Sequence, residues 1–266
     1  MIVRSRDRLG SLTDGAVRQG AGQEWAGPGY LVRANPARPD FYSGQFLVLD
    51  HAPDPARIED WVATFRRELA AVDPHFIRLG WETDHGVPWP GRAKLPAGTD
   101  YQHMAVLRTD GVLSPHDLPR LAIRALDRDS DWEQMVQLSI AETAPPDIAA
   151  YAAYYRWHVA IYRELVARRR GGAFWRAFDG DRLAGCLGLV TTPRWMRFVD
   201  VMTSASHRRR GVCSALLAHA LGVGFTDHPG AVAIIVSNAG SDADRLYRRL
   251  GFRQIGSQHE LSRPAR

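Results

Sequence analysis

Three features that this 266-residue chain lacks limit the classes of protein to which it can belong. It contains only two cysteines, Cys186 and Cys213, so a framework of disulfides cannot hold it together. It also lacks any apolar run approaching the roughly 18 to 20 residues that a membrane helix requires. The start of the chain lacks the apolar stretch of a signal peptide, because Arg4, Arg6 and Arg8 interrupt it. We therefore expect a cytoplasmic protein with no membrane partner.

Several kinds of functional site are also missing. No cluster of His, Cys, Asp or Glu has the spacing of metal ligands, so no metal is expected. The Gly-x-Ser-x-Gly elbow of many serine hydrolases is absent. The net charge of +5 would suit nucleic acid. However, no basic run exceeds three residues, and aromatic residues are not interleaved with the basic ones, so we expect no nucleic-acid partner.

The composition indicates a globular protein with a substantial core, because 45% of the residues are hydrophobic and 24% are charged. The length suggests two ordinary domains, and the turn-rich residues 110–115 predict a linker between them. We expect a flexible N-terminus over residues 1–27, a companion α/β domain over residues 28–112 and a second α/β domain over residues 118–266.

The first half of the chain alternates strand and helix patterns. Asp54 is placed to cap a helix, with Pro55 at its first position, and an apolar stripe follows at spacings of three and four. The predicted elements are strands over 30–33, 45–49, 76–81 and 101–107, and a helix over 55–71.

The second half is organised around the stretch from Val199 to Leu217. Ser130 and Glu133 upstream have the spacing of a capping box, which predicts the start of a helix. Asp179-Gly180 predicts a hairpin between two apolar runs. The predicted elements are strands over 121–124, 174–178, 183–190, 197–202, 231–236 and from 252, and helices over 130–142, 146–170, 213–224 and 241–250.

The predicted strand over residues 197–202 is followed by a basic loop, and the predicted helix over residues 213–224 begins after that loop. The first backbone N–H groups of a helix lack partners within it, and the helix dipole places partial positive charge there, so an anion is favoured. Gly211 permits backbone angles that a side chain would forbid. Arg208, Arg209 and Arg210 add planar donors suited to phosphate groups. The loop is therefore predicted to bind phosphate.

At these residues the chain resembles a known family. Arg208-x-x-Gly211-x-Cys213 is similar to the pyrophosphate loop of the GNAT superfamily of N-acetyltransferases, usually written Gln/Arg-x-x-Gly-x-Gly/Ala. Cys213 departs from that pattern, but cysteine is small and commonly buried, so we expect it to be tolerated. The family's second marker follows in Asn238 and in Tyr247-x-x-x-Gly251-Phe252. The resemblance covers about residues 121–261.

The resemblance implies a GNAT fold, with a mixed and mostly antiparallel central sheet flanked by helices. A smaller N-terminal α/β domain, a degenerate GNAT-like copy in the simplest account, would accompany it. The implied cosubstrate is acetyl-coenzyme A, a polyanion that also suits the basic chain. Its pantetheine arm would lie along the strand before the loop, and its pyrophosphate would sit on the loop. The implied binding residues are Val201, Met202, Thr203, Arg208, Arg209, Arg210, Gly211, Val212, Cys213, Ser214, Asn238 and Tyr247.

The resemblance also implies catalytic roles. Tyr247 would protonate the departing thiolate, which is uphill by only about 1.5 pKa units in their unperturbed values. A backbone N–H near Met202 would stabilise the oxyanion. For the general base, Asp200 on the strand is one candidate, and a water chain or no dedicated base is another. His207 and His219 are bases by residue type, but the first lies in the loop and the second on the helix behind it.

Two functional hypotheses follow. The first is an acyltransferase that moves an acetyl group from acetyl-coenzyme A to an amine by direct attack on the thioester. The second is a protein that binds acyl-coenzyme A without turnover, as a sensor or scaffold. For the companion domain we hypothesise either substrate binding or the formation of a homodimer.

Overall fold

The computed structural model describes residues 7–18, 22–84, 86–113, 119–169 and 172–265. In chain order its helices and strands are α1 (Leu9–Arg18), β1 (Gln23–Gly27), β2 (Tyr30–Ala34), β3 (Phe46–Leu49), α2 (Ile58–Glu68), β4 (Phe76–Thr83), β5 (Asp100–Thr109), β6 (Ala122–Ala125), α3 (Asp129–Thr143), α4 (Ile148–Arg169), β7 (Gly172–Asp179), β8 (Arg182–Thr191), β9 (Trp195–Thr203), α5 (Val212–Asp227), β10 (Val232–Asn238), α6 (Asp242–Arg249) and β11 (Arg253–Pro264).

The chain divides into two compact units. The first unit comprises residues 1–107, 236–248 and 253–266, and the second comprises residues 108–235 and 249–252. The units are nearly equal in size. The predicted division followed chain order, whereas most of α6 and all of β11 belong to the first unit. Residues 114 and 115 of the expected linker lie outside the described residues.

The first unit is built on a mixed sheet in the order β1-β2-β3-β4-β11-β5. Strands β3 and β4 are parallel, and the pairs β1–β2, β2–β3 and β4–β11 are antiparallel. Alternate residues of the strands, among them Leu47, Leu79 and Leu261, point towards α2 and form a buried core with its Phe65. Residues of the opposite parity lie on the other face of the sheet, which α1 covers.

A helix and a strand are present within residues 1–27, where the sequence predicted a flexible N-terminus. Helix α1 places Val17 in the core, with 3% of its surface exposed, and β1 pairs with β2 over its whole length. Local sequence gives little indication of either element, because a short helix gains most of its stability from tertiary packing.

The second unit is a five-stranded sheet in the order β10-β9-β8-β7-β6. Strand β10 runs parallel to β9, and every other pair is antiparallel. Helix α5 packs on one face, where Leu216 and Val212 lie beside Gly185 of β8. Helix α4 packs on the other face, where its Tyr162 contacts Phe174 of β7. The predicted fold class, a mixed and mostly antiparallel sheet with flanking helices, is confirmed.

The two predicted helix starts have different outcomes. The Asp54 carboxylate accepts a hydrogen bond of 2.9 Å from the backbone N–H of Ala56, which confirms the predicted cap. The prediction of Ser130 as the next cap is wrong, because α3 begins one residue earlier. The Asp131 carboxylate accepts the backbone N–H of Arg128 at 3.1 Å, while Glu133 pairs with an arginine of α4. The shorter acid reaches the helix end and leaves the longer one free for a tertiary contact.

Candidate functional site

Strand β9 carries a bulge where the sequence predicted part of the functional site. Val199 faces Gly188 of β8 and Met202 faces Cys186, so Asp200 and Val201 together oppose a single residue. Asp200 has a φ of +46°, a left-handed angle that is uncommon for a residue with a side chain. The first five residues of β9 are buried and the last four are only half-buried. The bulge therefore lies where the strand becomes accessible.

The bulge fixes the orientation of Asp200, which the sequence left open. Its Oδ2 accepts a hydrogen bond of 2.6 Å from the hydroxyl of Tyr155, and its Oδ1 accepts one of 3.4 Å from that of Tyr162. The carboxylate therefore faces α4. Burial, and secondly the charge of Asp200, raise the pKa of Tyr155 well above its ordinary value, so this phenol remains a donor.

The loop after β9 leads into α5 through two left-handed residues. Arg209 has a φ of +62°, and Gly211 has a φ of +77° at the N-cap of α5. No side chain caps this helix, and the backbone N–H of Ala215 makes the 2.9 Å bond to the carbonyl of Gly211 that closes its first turn. The N–H groups from Gly211 to Ser214 precede that bond and have no partner within the helix. The helix start thus provides the donors that an anion requires.

Two of the three arginines of the loop are held by carboxylates. Arg208 forms a hydrogen-bonded ion pair with Glu142 at the end of α3, and Glu142 also accepts the backbone N–H of Ala205 at 2.8 Å. Arg210 pairs with Asp179, with Nη2 and Oδ2 2.9 Å apart. The Arg208 and Arg210 side chains are each more than half exposed, and Arg209 is also exposed. All three can reach an incoming anion, the first two by exchanging a partner.

The two histidines near the loop, His207 and His219, contact other side chains. His207 is 4% exposed, its Nδ1 lies 2.9 Å from the hydroxyl of Ser206, and its Nε2 lies 3.7 Å from Asp179. His219 packs edge-on against Trp175, and burial lowers its pKa.

The two cysteines are uncharged thiols at neutral pH. Burial raises the pKa of Cys213, at the start of α5, to about 12. Burial, and secondly the charge of Asp200, raise the pKa of Cys186 above its ordinary value. A thiol is a poor nucleophile until it loses its proton. Neither cysteine is therefore activated as a nucleophile.

Asn238 and Tyr247 belong to the first unit, unlike the other predicted site residues. Asn238 ends β10 and is exposed, and its carbonyl accepts the N–H of Ser241 at 3.1 Å. Tyr247 lies on α6 and is 5% exposed. Asp244 fixes the start of α6, because its carboxylate accepts the backbone N–H of Gly240 at 2.9 Å.

The sequence did not identify four residues around the bulge and loop: Glu142, Asp179, Tyr155 and Tyr162. The aromatic face of α4 was the only available signal for the two tyrosines. No signal marked the two acids, because their pairing with arginines depends on the meeting of distant segments. Among the described residues, no three His, Cys, Asp or Glu side chains are grouped so that they could hold a metal ion. No helix of the described ranges is long and apolar enough to cross a membrane.

Comparison with a model of the acetyltransferase (GNAT) family gives a match over residues 132–252. This range contains α3 to α6 with the intervening strands, and hence the bulge, the loop and Tyr247. No curated protein matches the chain by sequence.

Several solved structures share the fold over most of the chain. A functionally unknown conserved protein from Staphylococcus epidermidis is 12% identical, with a TM-score of 0.72, over 91% of this chain and 94% of that one. A GCN5-related N-acetyltransferase from Kribbella flavida is 17% identical, with a TM-score of 0.62, over 96% and 93%. A tandem GNAT protein from the clavulanic acid biosynthesis pathway is 14% identical, with a TM-score of 0.55, over 89% and 79%. At such identities the likeness concerns the fold alone, and the tandem protein fits a second N-terminal domain.

Proposed function

We propose that the protein is an N-acetyltransferase that moves an acetyl group from acetyl-coenzyme A to an amine, because residues 132–252 match the model of the acetyltransferase (GNAT) family. The observation that carries the proposal is the uncapped start of α5, which follows a bulged and half-accessible strand after a short basic loop. A half-accessible strand end followed by a site for an anion suits a ligand built from an amide-containing arm and a diphosphate.

The loop residues fit the diphosphate of the coenzyme. The backbone N–H groups from Arg209 to Ser214 would bind it, with the helix dipole adding favourable potential. Arg208 and Arg210 would exchange Glu142 and Asp179 for phosphate oxygens, which accept two parallel N–H bonds equally well. Cys213 fits this role because a neutral, compact thiol adds neither charge nor bulk beside the phosphates. Val212 is buried and holds the helix start against the sheet.

The end of β9 fits the amide-containing arm. Val201, Met202 and Thr203 are half-buried, and their backbone groups would pair with the amides of the pantetheine chain as a further strand does. Near Met202, a backbone N–H released by the bulge would stabilise the developing oxyanion of the thioester carbonyl. Asn238, at the exposed end of the neighbouring strand β10, would contact the coenzyme or order the strand ends.

The chemistry requires three proton movements. In the transfer, the amine nitrogen forms a bond to the acetyl carbon, the carbon–sulfur bond breaks, and the sulfur leaves with the bonding electrons. Tyr247 would give its phenolic proton to that sulfur, and the nitrogen of the new amide would release its extra proton and so restore the phenol. The acceptor must also lose a proton before it attacks, either to Asp200 or through a chain of water molecules. The hydrogen bonds from Tyr155 and Tyr162 hold the Asp200 carboxylate in one orientation, which would suit a base.

Thiol release from acetyl-coenzyme A, measured over a panel of amines, tests the proposal. The panel should include aminoglycosides, polyamines, amino acids and peptides with free N-termini. We expect release with at least one class. Tyr247→Phe should lower kcat by at least tenfold while calorimetry gives an unchanged Kd for the coenzyme. Tyr42→Phe is the matched control, because it removes a hydroxyl that donates to Ser262 in the first unit.

Other outcomes have definite meanings. Binding of the coenzyme without thiol release for any amine would support the alternative, a non-catalytic acyl-coenzyme A sensor or scaffold. No binding at millimolar coenzyme would reject both functions. Asp200→Asn distinguishes the two routes for the amine proton: it should abolish the acidic limb of the pH–rate profile if Asp200 is the base, and leave that limb in place if water carries the proton.

A further inference from the structure

Glu142 is an acidic residue in the last turn of α3, where a negative charge is unfavourable for a helix. The helix dipole places partial negative charge at that end, so an acid there needs a compensating partner elsewhere. Helix α3 ends at Thr143, and the left-handed residue Ala144 closes it with an N–H bond of 2.9 Å to the carbonyl of Ile140. The position of Glu142 therefore points to a role outside its own helix.

The end of α3 is held by α4, so the Glu142 side chain starts from a fixed backbone. The hydroxyl of Tyr151 on α4 lies 2.9 Å from Oγ of Ser139 and 3.0 Å from Oγ1 of Thr143. Ser139 and Thr143 are one turn apart on α3, and Thr143 directly follows Glu142. Only 15% of the Glu142 side chain is exposed, so most of it lies against neighbouring residues rather than in solvent.

The carboxylate of Glu142 contacts both ends of the turn that follows β9. This turn comprises Ala205–His207, with Arg208 as its C-cap, and the N–H of His207 closes it by donating to the carbonyl of Ser204 at 2.8 Å. Oε1 of Glu142 accepts the backbone N–H of Ala205 at 2.8 Å, and Oε2 forms the ion pair with Arg208. One carboxylate thus joins the first residue of the turn to the residue that follows it.

The turn receives its cap from a distant residue. Ser204 is the N-cap, but its side chain makes no capping bond to any described residue, and its Oγ lies 3.1 Å from Oγ of Ser206. N-cap side chains usually accept the first free N–H groups of a helical turn. Here an acid 63 positions earlier in the chain supplies the acceptor. Removal of Glu142 would therefore take away the group that holds the Ala205 N–H.

The contacts of Glu142 with Arg208 and with Ala205 differ in their response to an incoming anion. The Arg208 side chain is 59% exposed and can turn to a phosphate oxygen, since a guanidinium pairs with phosphate as well as with carboxylate. The Ala205 N–H lies outside the run of backbone donors proposed to bind phosphate, so Glu142 can keep it while an anion is bound. The carboxylate can thus release one contact and retain the other.

We propose that Glu142 is a positioning residue for the anion site: it holds the turn at Ala205 and keeps Arg208 beside the loop until a phosphate group takes the guanidinium. The proposal rests on the proposed function, because the anion is taken to be the diphosphate of coenzyme A. A loop that already has its bound shape loses less conformational freedom on binding, so it binds more tightly. Glu142 would raise coenzyme affinity without contacting the coenzyme.

Two substitutions at Glu142 separate its two contacts. Glu142→Gln keeps a carbonyl oxygen for the Ala205 N–H and removes the charge that pairs with Arg208. Glu142→Ala removes both, and alanine is favourable in a helix. Amide hydrogen exchange at Ala205, measured by NMR without coenzyme, reports the hold on the turn. The exchange rate should rise by at least about tenfold in Glu142→Ala and by less than about threefold in Glu142→Gln.

Calorimetry with coenzyme A measures the consequence for binding. Glu142→Gln should bind as tightly as the unmodified protein or up to about fivefold more tightly, because Arg208 has lost a competing partner. Glu142→Ala should bind about threefold to tenfold more weakly than Glu142→Gln, because the turn is no longer held. In the thiol-release assay the difference should appear in the KM for acetyl-coenzyme A and not in kcat, since Glu142 acts on binding alone.

Glu133 provides the matched control, because it lies on the same helix and pairs with Arg156 of α4 rather than with the loop. Glu133→Gln and Glu133→Ala make the same changes of charge and size. Both should leave the exchange rate of the Ala205 amide and the coenzyme affinity unchanged. Thermal melting of all four variants establishes that they are folded.

Two results would overturn the proposal. Equal exchange rates at Ala205 in the unmodified protein and in Glu142→Ala would show that the carboxylate does not hold the turn. Coenzyme binding by Glu142→Ala that is as tight as by Glu142→Gln, or tighter, would make Glu142 a competitor for Arg208 alone. A different result separates this proposal from the proposed function: expected exchange rates without any coenzyme binding would support the hold on the turn and reject the acetyltransferase.

Discussion

The hydroxyl of Tyr155 donates a 2.6 Å hydrogen bond to Oδ2 of Asp200, the left-handed residue of the β9 bulge. A helix on one face of the sheet thereby holds the one residue of the strand whose backbone angle is strained. Left-handed angles in residues with a side chain persist when surrounding contacts determine them. The bond therefore links the packing of α4 to the shape of the strand that is proposed to bind the pantetheine arm.

Tyr155→Phe should destabilise the protein by about 1–3 kcal/mol, because a partly buried carboxylate loses its best donor. Urea unfolding followed by circular dichroism measures the change. Tyr162→Phe is the matched control: its hydroxyl is 3.4 Å from Oδ1, so the cost should be smaller. Equal costs for the two variants would mean that the shorter bond adds nothing particular to the stability of the bulge.

Alanine substitutions at Gly211, the N-cap of α5, and at Gly222, within α5, should have opposite effects on stability. Gly211 has a φ of +77°, and a Cβ added there would lie 2.9 Å from Cδ of Pro119. Gly211→Ala should therefore cost about 1–2 kcal/mol of folding free energy and weaken coenzyme binding at least tenfold. Gly222 is inside the helix, and an added Cβ there meets open space. Gly222→Ala should stabilise the protein by about 0.5–1 kcal/mol and leave coenzyme affinity unchanged.

These two variants are compared by thermal melting and by calorimetry with coenzyme A. Stronger or equal coenzyme binding by Gly211→Ala would show that the loop does not need its left-handed angle to bind phosphate. A Gly211→Glu variant adds an anion facing the proposed phosphate site, and it should cost at least about 2 kcal/mol of coenzyme affinity.

Asp179 competes with phosphate for Arg210. The pair is about half exposed on both sides, so it contributes little to stability and is screened by salt. Asp179→Asn should raise coenzyme affinity by about twofold to fivefold at low ionic strength, and less at high ionic strength. Asp129→Asn makes the same charge change at the far end of α3, where Asp129 pairs with Arg163, and should have little effect. Calorimetry at two salt concentrations tests the pair, and equal gains from both variants would indicate a general charge effect instead.

The sequence predicted elements whose signals are local. Asp54 before Pro55 predicted the start of a helix, and Asp179-Gly180 predicted a hairpin. Both features are present. The loop before α5 was also predictable, because its glycine and arginines are adjacent in the chain, but its binding of phosphate stays a prediction. The prediction of Ser130 as the cap was wrong because it assigned the acidic partner to Glu133. In the structure Asp131 accepts the N–H at the start of α3, and Glu133 forms an ion pair with an arginine of α4.

What could not be predicted depends on segments that are far apart in the chain. The bulge at Asp200 depends on the register between β9 and β8. A shift of one residue in that register would turn the Asp200 side chain to the other face of the sheet. The pairing of Arg208 with Glu142 joins residues 66 positions apart. Strand β11 returns to the first unit to pair with β4, so a division of the chain at one point could not describe the units. The roles of Tyr247 and Asn238 stay predictions.

Glu82 on β4 gives the first unit a dependence on pH. Its Oε2 accepts the backbone N–H of Ser11 at 2.7 Å, near the start of α1. Burial raises the pKa of Glu82 from 4.5 to about 7, and the charge of Asp14 adds to that effect. The folded state therefore holds this proton more tightly than the unfolded chain does. The resulting stabilisation is complete below about pH 4.5 and is lost as the pH rises through about 7.

Glu82→Gln tests this relation, because glutamine does not titrate and its carbonyl can still accept the N–H of Ser11. Relative to the variant, the unmodified protein should lose up to about 3 kcal/mol of unfolding free energy between pH 4.5 and pH 8. The difference between the two proteins, from urea unfolding at each pH, cancels the titration of other groups. Asp14→Asn is the control: it should lower the pKa of Glu82 and so shift the loss to lower pH. A difference that stays constant from pH 4.5 to 8 would mean that Glu82 titrates alike in the folded and unfolded chains, and that its carboxylate is charged where it meets α1.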